Sequence, residues 1–320
     1  MTRDASFEHE HRLFTRCAWR LIPFIGCLYV VNFLDRANVG FAALTMNKDL
    51  GFSPAAFGFG AGVLSIGYAL FQVPANVALE RFGARRWICT IMLIWGTLSA
   101  LNAFVRTPTQ FYVLRFFLGA AEAGFVPGVY YYLTLWFPPS YRARFVALFM
   151  TAAPSSAIIG GPLSAWILGV PDAMGLRSWQ WLFLLEGLPS CLLALAVLRY
   201  LPDNPTAARW LSEEEKDTIT RRIAGENRVE HRILWRALRD PRIIGMGLVN
   251  FGILAGTNSV NLWLPQIVKA MGFSTGATGL VVAVPNIASV VAMTLWGRDS
   301  DARRERIWHI AIPTLIASTS

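Results

Sequence analysis

The chain has 320 residues, of which 54% belong to the apolar set AVILMFWYC and only 15% are charged, with 29 Lys and Arg against 20 Asp and Glu. Soluble chains carry about 25% charged residues, and a globule of this size cannot hide so much apolar surface, so lipid must solvate much of it. The cysteines Cys17, Cys27, Cys89 and Cys191 are scattered without CxxC or metal-ligand spacing, which excludes a disulfide scaffold and a zinc site, and the apolar excess excludes a disordered chain.

A helix crossing the hydrocarbon core needs roughly 20 mostly apolar residues. The first 19 residues carry Glu8, Glu10, Arg12 and Arg16, so they read as a polar N-tail and not as a cleavable signal peptide. Eight spans are then predicted, over about 20–44, 56–79, 87–105, 109–137, 145–169, 179–201, 243–267 and 275–297, and a ninth starts at Ile307 and runs into Ser320. The runs are long and continuous, which excludes a barrel of alternating ten-residue strands. Between the sixth and seventh spans, residues 202–240 form the one sizeable polar stretch. There Ser212 precedes Glu213, Glu214 and Glu215, the pattern of a helix N-cap with acids in its first turn. The expected class is an all-α polytopic membrane protein: an N-terminal bundle of six helices over 20–201, a linker, and a partial second bundle over 241–320.

The basic residues set an orientation. Of the 29 Lys and Arg, 23 fall in the N-tail, the 199–242 stretch and the loops after spans 2, 4 and 8. The alternate loops hold four, Lys48, Arg106, Arg177 and Lys269, and the remaining two lie inside spans. Cytoplasmic loops collect Lys and Arg, so the N-terminus and the linker are expected in the cytoplasm. The net charge of +9 then reflects topology, and it gives no reason to expect a nucleic-acid partner.

The loop after span 2 holds Asn76, Glu80, Arg81, Gly83, Arg85 and Arg86, and the loop after span 8 holds Gly297, Asp301 and Arg306. Glu80 and Arg85 lie 221 residues before Asp301 and Arg306. An acid followed by clustered arginines, twice and in equivalent loops, suggests a duplicated six-helix unit.

Five ionisable residues lie within the spans: Asp35, Arg36, Arg115, Glu122 and Glu186. Charges at membrane depth are costly and point to function. At 1.5 Å per residue Asp35 sits ~13 Å, Arg115 ~9 Å and Glu122 ~20 Å below the outer surface. Arg115 and Glu122, spaced i, i+7, share a face, so two acids and two arginines are expected to converge in the first bundle. Tyr68 and Gln72 share a face of span 2 and can contact a substrate, although an aromatic in a glycine-rich helix serves packing as readily. Asn258 and Asn261, on a polar span 7, are the corresponding candidates from the second half. Glu186 reads as structural, because no arginine lies near it on its own helix. Gly58/Gly62 and Gly124/Gly128 read as packing pairs, and Gly160-Gly161-Pro162 as a flexible point. No paired histidines, Ser/His set or metal spacing lies in the spans, and His9, His11, His231 and His309 lie at ends or in loops, so an enzyme is not expected.

These residues resemble the major facilitator superfamily, whose loop motif G-x-x-x-D-R-x-G-R-R is approximated by 76–86, with Asn76 for the first glycine and Glu80 for the aspartate. Within it, Asn32-Phe-Leu-Asp35-Arg36-Ala-Asn38-Val-Gly40, Leu114-Arg115 through Glu122 to Pro127-Gly128, Trp179 to Pro189, and Tyr200-Leu-Pro-Asp-Asn-Pro resemble the anion:cation symporter family. The segment Phe41 to Phe52 is closest to the tartrate transporter branch; related permeases take phthalate, hydroxyphenylacetate and sugar acids. The resemblance implies twelve helices, in two bundles of which the second is truncated here. It also implies proton-coupled uptake of a small organic anion, with Asp35 and Glu122 as proton carriers, Arg36 and Arg115 as carboxylate ligands and Tyr68 as a substrate contact. The proton is the coupling ion and no cofactor is expected. The expected setting is a monomer in the bacterial inner membrane. The alternatives are a transport-inactive receptor or scaffold, and an exporter on the same fold.

Overall fold

The computed structural model describes residues 3–224 and 240–303, together with 308, 311–313 and 315. The helices are α1 Arg3–Leu50, α2 Pro54–Phe82, α3 Ala84–Leu101, α4 Pro108–Glu122, α5 Phe125–Trp136, α6 Pro139–Met150, α7 Ala152–Leu168, α8 Ser178–Tyr200, α9 Glu213–Ala224, α10 Pro241–Ala270 and α11 Thr275–Arg303. No β-strand occurs among the described residues. Six helical stretches among them are long and apolar enough to cross a membrane.

Three helices start by one device. Ser53 accepts from the Ala56 N–H at 3.1 Å, Thr107 from Gln110 at 3.3 Å and Asp240 from Arg242 at 2.9 Å. Each cap precedes a proline, whose missing N–H is one the first turn would leave unbonded. In α9 the predicted cap closes into a reciprocal pair: Ser212 Oγ accepts from the Glu215 N–H at 3.3 Å, and Glu215 Oε2 accepts from the Ser212 N–H at 2.9 Å.

The ends and interruptions differ from the predicted spans. α1 starts at Arg3, so most of the stretch read as a polar tail forms its first turns. The predicted span 109–137 is broken into α4 and α5 by a turn at Ala123-Gly124, and α6 and α7 meet at Thr151. Pro127 removes the N–H that would bond the Ala123 carbonyl, and Pro154 the one for Met150, so each break lies where its proline interrupts the ladder. The Gly160-Gly161-Pro162 run, read as flexible, lies inside continuous α7. α2 passes into α3 through Gly83 alone, whose φ of 78° lies in the left-handed region. The loop expected after span 8 is helical as far as Arg303, while Arg306 and nearly all of the ninth span fall outside the described residues.

Of the predicted packing glycines, Gly124 and Gly58 face close neighbours, with a Cβ 2.7 Å from the Trp87 ring and 3.1 Å from the Trp263 ring respectively, but the closest backbone crossings are made by other glycines. A Cβ at Gly67 would run into the Phe116 carbonyl of α4, and one at Gly119 into the Leu64 carbonyl of α2. Gly96 and Gly187 bring α3 and α8 together, with each Cβ position 2.9–3.1 Å from the other's carbonyl oxygen. Gly161 and Gly279 do the same for α7 and α11, at 2.8 and 2.6 Å. By contrast, Gly62 has open space around it.

Two apolar clusters fill the first bundle. One gathers Leu13 to Tyr29 of α1 with Met92, Trp95, Phe125, Trp136, Val197 and Ile219; the other gathers Val39 to Met46 with Phe57, Phe111, Trp179, Phe183, Val268 and Val282. Between them, on four of the helices, lie buried polar residues: Asn32, Asp35 and Asn38 on α1, Ser99 on α3, Arg115 on α4, and Glu186 and Ser190 on α8. A polar layer therefore separates two apolar ones.

α10 and α11 touch the first bundle at one end. A Cβ at Gly40 would lie 2.8 Å from the Leu262 carbonyl, and Phe57 meets Trp263 edge-on with ring centres 5.6 Å apart. The described residues of α10 from Pro241 to Asn261 are exposed, as are most of those of α11 beyond Ala283.

Candidate functional site

The polar layer is built from neighbours in sequence that point apart. Asp35 and Arg36 are successive residues of α1, about 100° apart around its axis. Arg36 turns toward α4, where its Nε donates to Glu122 Oε2 at 2.6 Å, and its guanidinium lies 4.8 Å from the centre of the Tyr68 ring of α2. Asp35 turns toward α3 and α8 and accepts from Ser99 Oγ at 2.8 Å and Ser190 Oγ at 2.9 Å. It makes no ion pair among the described residues.

The four in-span charges expected to converge thus divide. Arg36, Glu122 and Tyr68 form one contact set. Arg115, two turns from Glu122 on the same face of α4, is only 3% exposed, and its Nε and Nη1 have no hydrogen-bond partner. Glu122 Oε1 and Arg36 Nη2 are likewise unpartnered. An unpaired buried guanidinium costs several kcal/mol, and its planar fork matches a carboxylate in two parallel hydrogen bonds. Glu122 ends α4 at the turn that Pro127 imposes, so a backbone break lies beside the ion pair.

One turn along from Asp35, the same α1 face carries Asn38, fully buried with neither amide atom bonded. One turn along α8 from Ser190 lies Glu186, which accepts from Ser164 Oγ of α7 at 2.8 Å and leaves its other oxygen unpartnered. Sequence reading passed over Ser99, Ser164 and Ser190. The available signal was spacing, Asp35 with Asn38 at i, i+3 and Glu186 with Ser190 at i, i+4, which marks one polar face on each helix.

Other predicted residues stand apart from this layer. Gln72 is exposed on α2, and Asn258 and Asn261 are exposed on α10, within a turn of the Gly40–Leu262 contact. The loop motif lies at the far end of α2. There Arg85 forms an ion pair with Asp203 at 3.4 Å and donates to the Leu198 carbonyl, tying the start of α3 to the end of α8. Asn76 is half-buried, and Glu80, Arg81 and Arg86 are exposed. Gly297 and Asp301 lie on the backbone of α11. No group of three or more His, Cys, Asp or Glu capable of holding a metal occurs among the described residues.

The family model of the Major Facilitator Superfamily matches residues 25–320. A protein of Agrobacterium vitis named "Putative tartrate transporter" is 47% identical over 313 residues, covering 97% of this chain and 70% of the relative. The "Putative metabolite transport protein NicT" of Pseudomonas putida is 45% identical over 324 residues, covering 99% of this chain and 74% of the relative. Among solved structures, a bacterial homologue of the human lysosomal transporter Spinster, in an inward-facing and unoccupied conformation, superposes with a TM-score of 0.69 at 16% identity. That match covers 89% of this chain, which spans 63% of the length of that structure.

Proposed function

The chain belongs to the major facilitator superfamily, whose members are transporters and not enzymes, and from that premise we propose that it carries a small organic anion by alternating access, coupled to protons. The observation that carries this reading is Arg115, a buried guanidinium without a partner beside the Arg36–Glu122 pair. With Glu122 and Asp35 ionised, two arginines and two carboxylates cancel, and an incoming anion gains little. Protonating Glu122 releases Arg36, and protonating Asp35 leaves both guanidiniums uncompensated, a net charge suited to a dicarboxylate. Proton and anion then favour one another's binding, and must do so reciprocally. Tartrate-like dicarboxylates head the substrate classes, with sugar acids and aromatic carboxylates after them; the names of the relatives support the first.

Tyr68 borders the site through Arg36. Gln72, Asn258 and Asn261 are the contacts that a rotation of α2 and α10 would bring in, and the loop motif around Arg85 gates the far end. No cofactor takes part. The protein works as a monomer in the inner membrane with its N-terminus in the cytoplasm, and residues 241–320 belong to the second bundle. The test is uptake of radiolabelled tartrate into vesicles holding the chain, with and without an inward proton gradient. Accumulation that needs the gradient is expected; uptake indifferent to it would remove the coupling, and none of any carboxylate would remove the function.

A further inference from the structure

At the α8 end remote from the Gly40 contact, a pocket of about 420 Å³ opens where Arg20, Arg85, Arg199, Arg209, Tyr200 and Trp210 meet. No acidic side chain lines it. Arg85 is neutralised by Asp203, and Arg20 lies over the Trp210 ring at 5.1 Å. Arg199 and Arg209 are exposed and make no ion pair among the described residues. Three arginines thus face one cavity without a carboxylate to balance them, an arrangement unfavourable until an anion enters.

The surroundings indicate which anion. Arg20 stands where the apolar run of α1 begins and Arg199 in the last turn of α8, so the pocket lies at the boundary between hydrocarbon and water. Tyr200, 48% exposed, lines it, and Trp19, next to Arg20 in sequence, is 75% exposed, as interfacial aromatics are. Up α8 from Arg199, the exposed Leu195, Leu192 and Leu188 form one stripe at spacings of four, three and four residues, a lipid-facing track that ends at the arginines. A soluble phosphate would use the pocket alone. A molecule with a phosphate head and apolar tails would use the pocket and the stripe together.

We propose that this pocket binds the headgroup of an anionic phospholipid, with its phosphate between Arg20, Arg199 and Arg209 and its acyl chains along the leucines of α8. Basic side chains near an anionic membrane surface each contribute about fivefold to binding, so two of them are worth well over tenfold. The test delivers phosphatidylglycerol, phosphatidylcholine or inorganic phosphate to the delipidated full chain in neutral detergent, read by native mass spectrometry and by thermal stabilisation. Phosphatidylglycerol should be retained and should stabilise the protein, and neither phosphatidylcholine nor phosphate should match it. Arg199→Gln with Arg209→Gln should weaken phosphatidylglycerol retention at least tenfold. The paired lysine substitutions should keep most of it, and Arg106→Gln, far from the pocket, should change nothing. Equal retention of both lipids, stabilisation by phosphate alone, or full retention by the paired glutamine variant with an unaltered gel-filtration profile would overturn the proposal.

Discussion

At the scale of single residues, the site turns on what a guanidinium can do that an ammonium cannot. Arg36→Lys and Arg115→Lys keep the charge and lose the planar fork. Each is expected to weaken carboxylate binding by more than ~1.4 kcal/mol, or tenfold, as measured by substrate protection against thermal unfolding; unchanged affinity in both would make the arginines structural. Glu122→Gln mimics the protonated acid and leaves Arg36 without its ion pair. That variant should still bind substrate and exchange it, yet fail to accumulate it on a proton gradient. Gradient-driven accumulation at the normal level would shift coupling away from Glu122. The five in-span charges were legible, because ionisable residues stand out in an apolar run. Their pairing was not. Ser99 and Ser190, which hold Asp35, lie 64 and 155 positions from it and look unremarkable where they stand.

At the scale of elements, six of the eight spans were legible from apolar length alone, while the three starts marked by a capping residue followed by proline lie one or two residues ahead of the ends that apolar length sets. The breaks at Gly124 and Thr151 were not, since prolines are common in transmembrane helices and most here, such as Pro74 and Pro189, interrupt nothing. Apart from Gly58 and Gly124, the packing glycines were equally obscure, because the two members of a crossing lie on different helices. Gly119→Val places its side chain against the Leu64 carbonyl and should cost ~1–3 kcal/mol of stability, whereas Gly62→Ala, with open space around it, should be near neutral in the same thermal unfolding series. Equal losses would mean that the α2–α4 crossing does not depend on glycine. The linker helix offers a pH test. Burial would raise the Glu215 carboxyl, but the Ser212 N–H and Arg16 hold it below its ordinary value. Its stabilising contribution is therefore complete above the ordinary glutamate range and is lost as pH falls below it. Hydrogen-exchange protection factors in 213–224, corrected for the intrinsic pH dependence, should fall on acidification below that range, and less so in Arg16→Gln; protection indifferent to pH would deny the contact any role in holding α9.

At the scale of the whole molecule, the asymmetry of 23 basic residues against four motivates an orientation that one label can check. A cysteine at Glu214, with the native cysteines replaced, should resist an impermeant thiol reagent in intact cells and react once the cells are opened; rapid labelling from outside would invert the topology. The contact of α10 and α11 with the helices before them was not legible, because it is made by Gly40, Gly161 and Gly279 and by the Phe57–Trp263 ring pair, partners that lie far apart in sequence. The single-residue joint at Gly83 has a consequence for how such a body moves. Two long rods linked by one residue have no slack between them, so a tilt of α2 must drag the start of α3, and with it Arg85, across the end of α8. The joint works as a bell crank: it turns the swing of α2, whose Tyr68 ring lies against Arg36, into a sideways pull on Asp203, ten residues before α9. Lengthening that joint by two flexible residues would give up the two hydrogen bonds of Gly83 to Leu79 and Trp87 and, with them, the transmission.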